Sequence, residues 1–91
     1  MKLEEITANV REIVVQIIAS DKNIDMGAII LHEEDSLIDG GLIDSLLMVQ
    51  LIEEMDMRFD IVINPAELSL ENFDSIGRIS RFVLAKMNGA G

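Results

Sequence analysis

The chain is 91 residues long, carries a net charge of −10, is 49% hydrophobic and contains no cysteine. Its length suits one domain, the missing cysteines exclude disulfides, Cys-ligated zinc and a thiol nucleophile, and the negative charge argues against nucleic acid, whose phosphates call for Lys and Arg. No apolar run reaches the roughly 20 residues of a membrane span, and Met1 leads into a charged amphipathic segment instead of an apolar signal region, so a cytoplasmic monomer with no membrane span is expected.

Leu3, Ile6, Val10, Ile13, Val14, Ile17 and Ile18 recur at helical spacing, with Glu4, Glu5, Arg11, Glu12 and Gln16 between them. This predicts an amphipathic helix over residues 2–19. Residues 20–44 read as a long connection, with Ile24, Ile29, Ile30, Leu31, Leu37 and Leu42 as apolar anchors among turn formers and a short helical turn near 26–31. A second helix is expected from Asp44 or Ser45 to about Met57, with Asp44 as its N-cap and Val49, Leu51, Ile52 and Met55 on its core face. Residues 59–63 alternate like a strand, but their isolation and the following Asn64-Pro65 favour an extended loop. Pro65 is placed to open a short third helix over 65–68. Asp74 or Ser75 can cap a last helix reaching about Met87, with Ile76, Ile79, Phe82 and Val83 inward, and residues 88–91 read as a frayed tail. With only Phe59, Phe73 and Phe82 as aromatics, the core must be aliphatic. The expected fold is all-α, three main helices plus a short one, in a single domain over 1–91.

The charge is uneven. Glu33, Glu34, Asp35, Asp39, Asp44, Glu53, Glu54, Asp56 and Asp60 share one stretch whose only strong base is Arg58, whereas the last helix carries Arg78, Arg81 and Lys86. Such a region can steer basic partners; a merely solvated surface explains the total charge equally well, but its position less well.

The most informative segment is Leu37-Ile38-Asp39-Gly40-Gly41-Leu42-Ile43-Asp44-Ser45-Leu46. A loop with two glycines delivers Ser45 to the first turn of a helix, behind an acidic cap. Its hydroxyl then stands at the positive end of the helix dipole, beside free backbone N–H groups, a setting suited to a phosphate ester. Asp-Ser at a helix start is also ordinary capping, and physics alone leaves both readings open.

Gly41-Leu42-Ile43-Asp44-Ser45-Leu46, then Val49-Gln50-Leu51-Ile52-Glu53 and Phe59-Asp60-Ile61, resembles the acyl carrier protein family around its phosphopantetheine serine. The order of elements matches too, so the resemblance covers nearly the whole chain. It implies an acyl-carrier-like helical bundle with a long loop between its first two helices. It implies that a phosphopantetheinyl transferase, for which Asp44 is a recognition residue, attaches 4'-phosphopantetheine from coenzyme A to Ser45. The thiol of that arm would hold cargo as a thioester, in keeping with the missing cysteine, and the chain would be a shuttle and not an enzyme. Within the family, Gly41 stands four residues before the serine where fatty-acid carriers have glycine three before, and Leu47 and Gln50 replace common acids. The motif is more similar to D-alanyl carrier proteins and other stand-alone aminoacyl or acyl carriers. That implies loading by an adenylating ligase and delivery to an acyl-transferring or synthase enzyme, with fatty-acid or polyketide synthesis as the alternative pathway.

Leu46, Leu47, Gln50, Glu53, Glu54 and Met57 are the expected partner-docking strip beside the arm. Val49, Leu51, Met55, Ile61, Ile63, Leu68 and Ile76 read as core residues, some of which could shelter cargo. Three other functions compete. Asp21, Asn23 and Asp25 match the start of an EF-hand calcium loop, but the required glycine and glutamate positions hold Met26 and His32, with Gly27 and Glu33 one residue late, so no metal is expected. A serine hydrolase using Ser45 would have only His32 as base, with no nucleophile elbow. An acidic helical adaptor that never carries an arm is the third, and the intact Asp44-Ser45-Leu46 speaks against it.

Overall fold

The computed structural model describes residues 1–89. Four α-helices follow in chain order: α1 (Leu3–Lys22), α2 (Ser45–Phe59), α3 (Leu70–Phe73) and α4 (Ile76–Met87), with 3-10 turns at Met26–Ala28 and Pro65–Glu67 and no strand among the described residues. The fold is the all-α bundle expected, with the long connection between α1 and α2.

The apolar stripe of α1 buries Ile6, Val10, Ile13, Val14, Ile17 and Ile18, and this helix packs against both α2 and α4. Leu3, included in the predicted stripe, is exposed at the helix start. The helix runs three residues past the predicted end. Asn23 stops it by adopting the left-handed conformation (φ 53°), with the Ile24 N–H closing on the Ala19 carbonyl at 3.1 Å. Asp21 therefore lies in the last turn of α1, and the Asp21, Asn23 and Asp25 trio straddles a helix end.

In the α1–α2 connection, Leu31 and Leu37 are buried and Ile29 and Leu42 half-buried, as anchors should be. Ile24 and Ile30 are not anchors: both are exposed, and Ile30, at 82%, is so because extended chain sends successive side chains to opposite sides and Leu31 takes the inward one. The loop is pinned from both flanks. The Arg11 guanidinium donates to the Leu31 carbonyl, and the Gly77 N–H donates to the Glu33 carbonyl at 2.8 Å.

Helix α2 buries the i, i+4 row Leu47, Leu51, Met55 and Phe59, and Asp60 ends it in the left-handed conformation (φ 52°). It thus runs two residues past Met57, to a buried aromatic. Val49, expected on the core face, is 51% exposed, while Ile52 is half-buried. Beyond α2 the chain is extended, as expected, and the Asp56 carboxylate accepts the Ile63 N–H at 3.3 Å.

The short third helix expected over 65–68 is two elements. Pro65 opens a 3-10 turn, and a separate α turn, α3, is capped by Ser69, whose Oγ accepts the Asn72 N–H at 3.3 Å. Phe73 at its end is buried and packs against half-buried Phe82 of α4, the rings tilted by 54° with centroids 5.0 Å apart. Ser75, not Asp74, caps α4, accepting the Arg78 N–H at 3.1 Å. Asn88 and Gly89 still bond to the carbonyls of Leu84 and Lys86, each at 3.1 Å, and the rest of the predicted tail, 90–91, lies outside the described residues.

Candidate functional site

Two backbone devices present Ser45. Gly41 adopts φ +73°, a conformation that costs an L-residue with a Cβ, and a Cβ on Gly40 would come within 2.9 Å of the Ser36 carbonyl oxygen. The turn that these glycines permit closes when the N–H groups of Leu42 and Ile43 both reach the Leu37 carbonyl at 3.0 Å. Ile43 then buries its side chain, and Asp44 caps α2, its Oδ1 accepting the Leu47 N–H at 2.9 Å. Ser45 follows as the first helical residue, with an exposed side chain. Its N–H and that of Leu46 precede any intrahelical acceptor and face the positive end of the helix dipole.

Beside Ser45 lies a groove of about 450 Å³. Ile38, Gly41 and Ile43 from the loop, Asp44, Ser45 and Met48 from the start of α2, and Leu68, Ser69, Leu70 and Phe73 around α3 line it. Its lining is mainly aliphatic and aromatic, with the serine and aspartate at its rim. Of the seven residues named as cargo shelter, Leu68 alone lines it. Leu51, Met55 and Ile76 are wholly buried and Ile63 nearly so, which makes them core. Ile61 lines a separate depression with Phe59, Val62 and Lys86, and Val49 faces outward. The walls that the sequence reading missed, Ile38, Ile43, Met48, Leu70 and Phe73, come from segments separated by a turn or a helix; the only signal for them was apolar residues flanking the motif.

The docking strip is corrected at one position. Leu47 is 5% exposed and packs in the core, because the α2 row that it heads faces α1. Leu46, Gln50, Glu53, Glu54 and Met57 do share the exposed face, and Val49 joins them. Glu53 and Glu54 make no hydrogen bond or ion pair among the described residues. Several other acids of the same stretch are engaged in structure instead. Asp44 caps a helix, Asp56 holds Ile63, Asp35 accepts the His32 N–H at 2.9 Å, and Glu34 meets Arg81 at 3.3 Å. The Arg81 guanidinium bonded to Glu34 holds that carboxyl below its ordinary value.

His32 is exposed and does not line the groove beside Ser45, so the hydrolase reading has no base in place there. Among the described residues no group of three His, Cys, Asp or Glu side chains is arranged to hold a metal ion, and no helix is long and apolar enough to cross a membrane.

Comparison with known proteins identifies the family. Residues 12–83 match the family described as phosphopantetheine attachment site. A relative, Aminoacyl carrier protein 2 of Bradyrhizobium diazoefficiens, is 34% identical over 62 residues, covering 67% of this chain and 68% of its own. The chain belongs to the acyl carrier protein family, whose members are non-catalytic carriers of a 4'-phosphopantetheine group attached by a phosphopantetheinyl transferase.

Proposed function

We propose that Ser45 is the attachment point and that the chain is a monomeric, cytoplasmic carrier of an aminoacyl or small acyl cargo, loaded by an adenylating ligase and emptied by an acyl-transferring or synthase enzyme. One observation carries the reading: an exposed serine hydroxyl stands on the first residue of a capped helix, at the rim of an apolar groove.

The residues present fit the prosthetic group. The Ser45 and Leu46 N–H groups and the α2 dipole favour a phosphodiester anion at Ser45. Asp44 is committed through Oδ1 to the Leu47 N–H, so it fixes the helix start that presents Ser45. Ile38, Ile43, Met48, Leu68, Leu70 and Phe73 offer an apolar wall against which a tethered arm can rest out of water. When attached, the group supplies a terminal thiol that holds the cargo as a thioester.

The exposed α2 face, Leu46, Val49, Gln50, Glu53, Glu54 and Met57, suits brief docking to partners with apolar contacts ringed by bases. Rim charges of this kind raise the rate of encounter more than the lifetime of the complex. The net charge of −10 favours a separate, soluble carrier. The aminoacyl cargo is supported by the motif around Gly41, Leu47 and Gln50 and by the likeness to an aminoacyl carrier protein.

Incubation with coenzyme A, magnesium and a broad-specificity transferase, followed by intact-mass measurement, should show one phosphopantetheinyl addition, absent in Ser45→Ala. No gain in the wild type, or a gain that survives in Ser45→Ala, would overturn the site. Offering the holo protein to adenylating ligases with amino acids or with fatty acids then tests the cargo: thioester formation with fatty acids alone would move the chain to the fatty-acid class.

A further inference from the structure

Asp74 bonds to the loop before Ser45 on one side and to α3 on the other. Its Oδ1 accepts the Ser36 hydroxyl at 2.7 Å and the Ile38 N–H at 3.2 Å, and its backbone carbonyl accepts the Leu37 N–H at 2.7 Å. Three consecutive loop residues are therefore held by one aspartate 36 to 38 positions away in sequence. From there the bonding runs on to the serine. Ser36 Oγ accepts the Asp39 N–H at 3.1 Å, Leu37 accepts Leu42 and Ile43 at 3.0 Å, and Asp44 next in line caps the helix that Ser45 begins. On its other side, the Asp74 N–H bonds to the Leu70 carbonyl at 3.0 Å, ending α3, and Ser75 opens α4. Ile38 and Leu70, the partners of Asp74 on its two sides, both line the groove.

We propose that Asp74 is a positioning residue for modification of Ser45: its carboxylate, bonded to Ser36 and Ile38 on either side of the backbone-held Leu37, locks this segment, and with it the Gly40-Gly41 turn and the Asp44 cap, into the form that a transferase recognises. The inference rests on Ser45 being the acceptor. It concerns loop order and not charge. A side chain that keeps an acceptor oxygen at this place should substitute for the carboxylate, whereas one that lacks it leaves the Ser36 hydroxyl and Ile38 N–H without their partner.

Steady-state transfer from coenzyme A, measured with a broad-specificity transferase, tests this. Asp74→Ala should keep the helical circular dichroism of the wild type but raise KM roughly tenfold, because a smaller fraction of the free chain holds the competent loop, and apparent affinity falls by that fraction. Faster amide exchange at Leu37, Leu42 and Ile43 should accompany it. Asp74→Asn, whose amide oxygen accepts both bonds, should restore KM to within about twofold of the wild type. Ser36→Ala should raise KM by less than Asp74→Ala, and the double variant should do little more than Asp74→Ala, since both act on one bonded unit. Wild-type KM and exchange in a folded Asp74→Ala would overturn the proposal, as would an Asp74→Asn no better than Asp74→Ala. Should Asp74→Ala not fold, Ser36→Ala decides, with unchanged KM and exchange counting against. Failure of the Ser45 reading has a different signature: the wild type takes up no group, or Ser45→Ala does.

Discussion

Leu46 and Leu47 are adjacent and chemically identical, yet one is 68% exposed and the other 5%. Leu47→Ala should cost about 2–5 kcal/mol, the range for emptying a packed aliphatic site, whereas Leu46→Ala should change stability by less than about 0.5 kcal/mol. Urea denaturation of the two variants checks this, and only Leu46→Ala should slow loading by a partner enzyme while leaving the fold intact. Asp44→Ala should lower stability by about 1 kcal/mol through loss of the cap to Leu47. The cap was legible because Asp before a helical pattern has one common use. The phase of α2 was not. Leu46, Leu47, Met48, Val49, Leu51 and Ile52 make its first half apolar nearly all round, so periodicity allows Val49 or Leu47 to face inward, and packing against α1 decides.

At the scale of elements, α1, α2 and α4 are readable because each carries several turns of amphipathic pattern and a recognisable end. Helix α3 is one turn long and has no such period. It exists because Ser69 caps it and Phe73 anchors it against Phe82. Its approach is fastened by the Glu67 carboxylate, which meets Lys86 at 2.6 Å and the Asn64 N–H at 3.0 Å. The Lys86 ammonium, then the Asn64 N–H, lower the Glu67 carboxyl below its ordinary value. A depressed carboxyl contributes stability that is whole above its unfolded pKa, roughly 4.3, and fades as pH falls through the lower folded value. Glu67→Gln should therefore be less stable than the wild type near neutrality, and the gap should narrow below about pH 4 in denaturant titrations.

For the molecule as a whole, like charge dominates. With 17 acidic against 7 basic residues, self-repulsion opposes compactness, and Glu53 and Glu54 have no neutralising partner among the described residues. Raising ionic strength from about 0.01 M to about 0.15 M shortens the screening length from roughly 30 Å to roughly 8 Å and should raise the melting temperature while weakening capture by basic partners. Calorimetry and binding at the two salt levels check both. The core was legible as a set of aliphatic stripes, whereas the groove was not, since its walls meet only when the loop, α2 and α3 are assembled. That assembly also means that the setting of Ser45 does not survive in the unfolded chain: the cap, the dipole and the clamp on residues 36–38 vanish together. Any enzyme that needs this setting reads tertiary structure along with sequence, so each modified molecule is one that had passed an inspection of its folding before entering service.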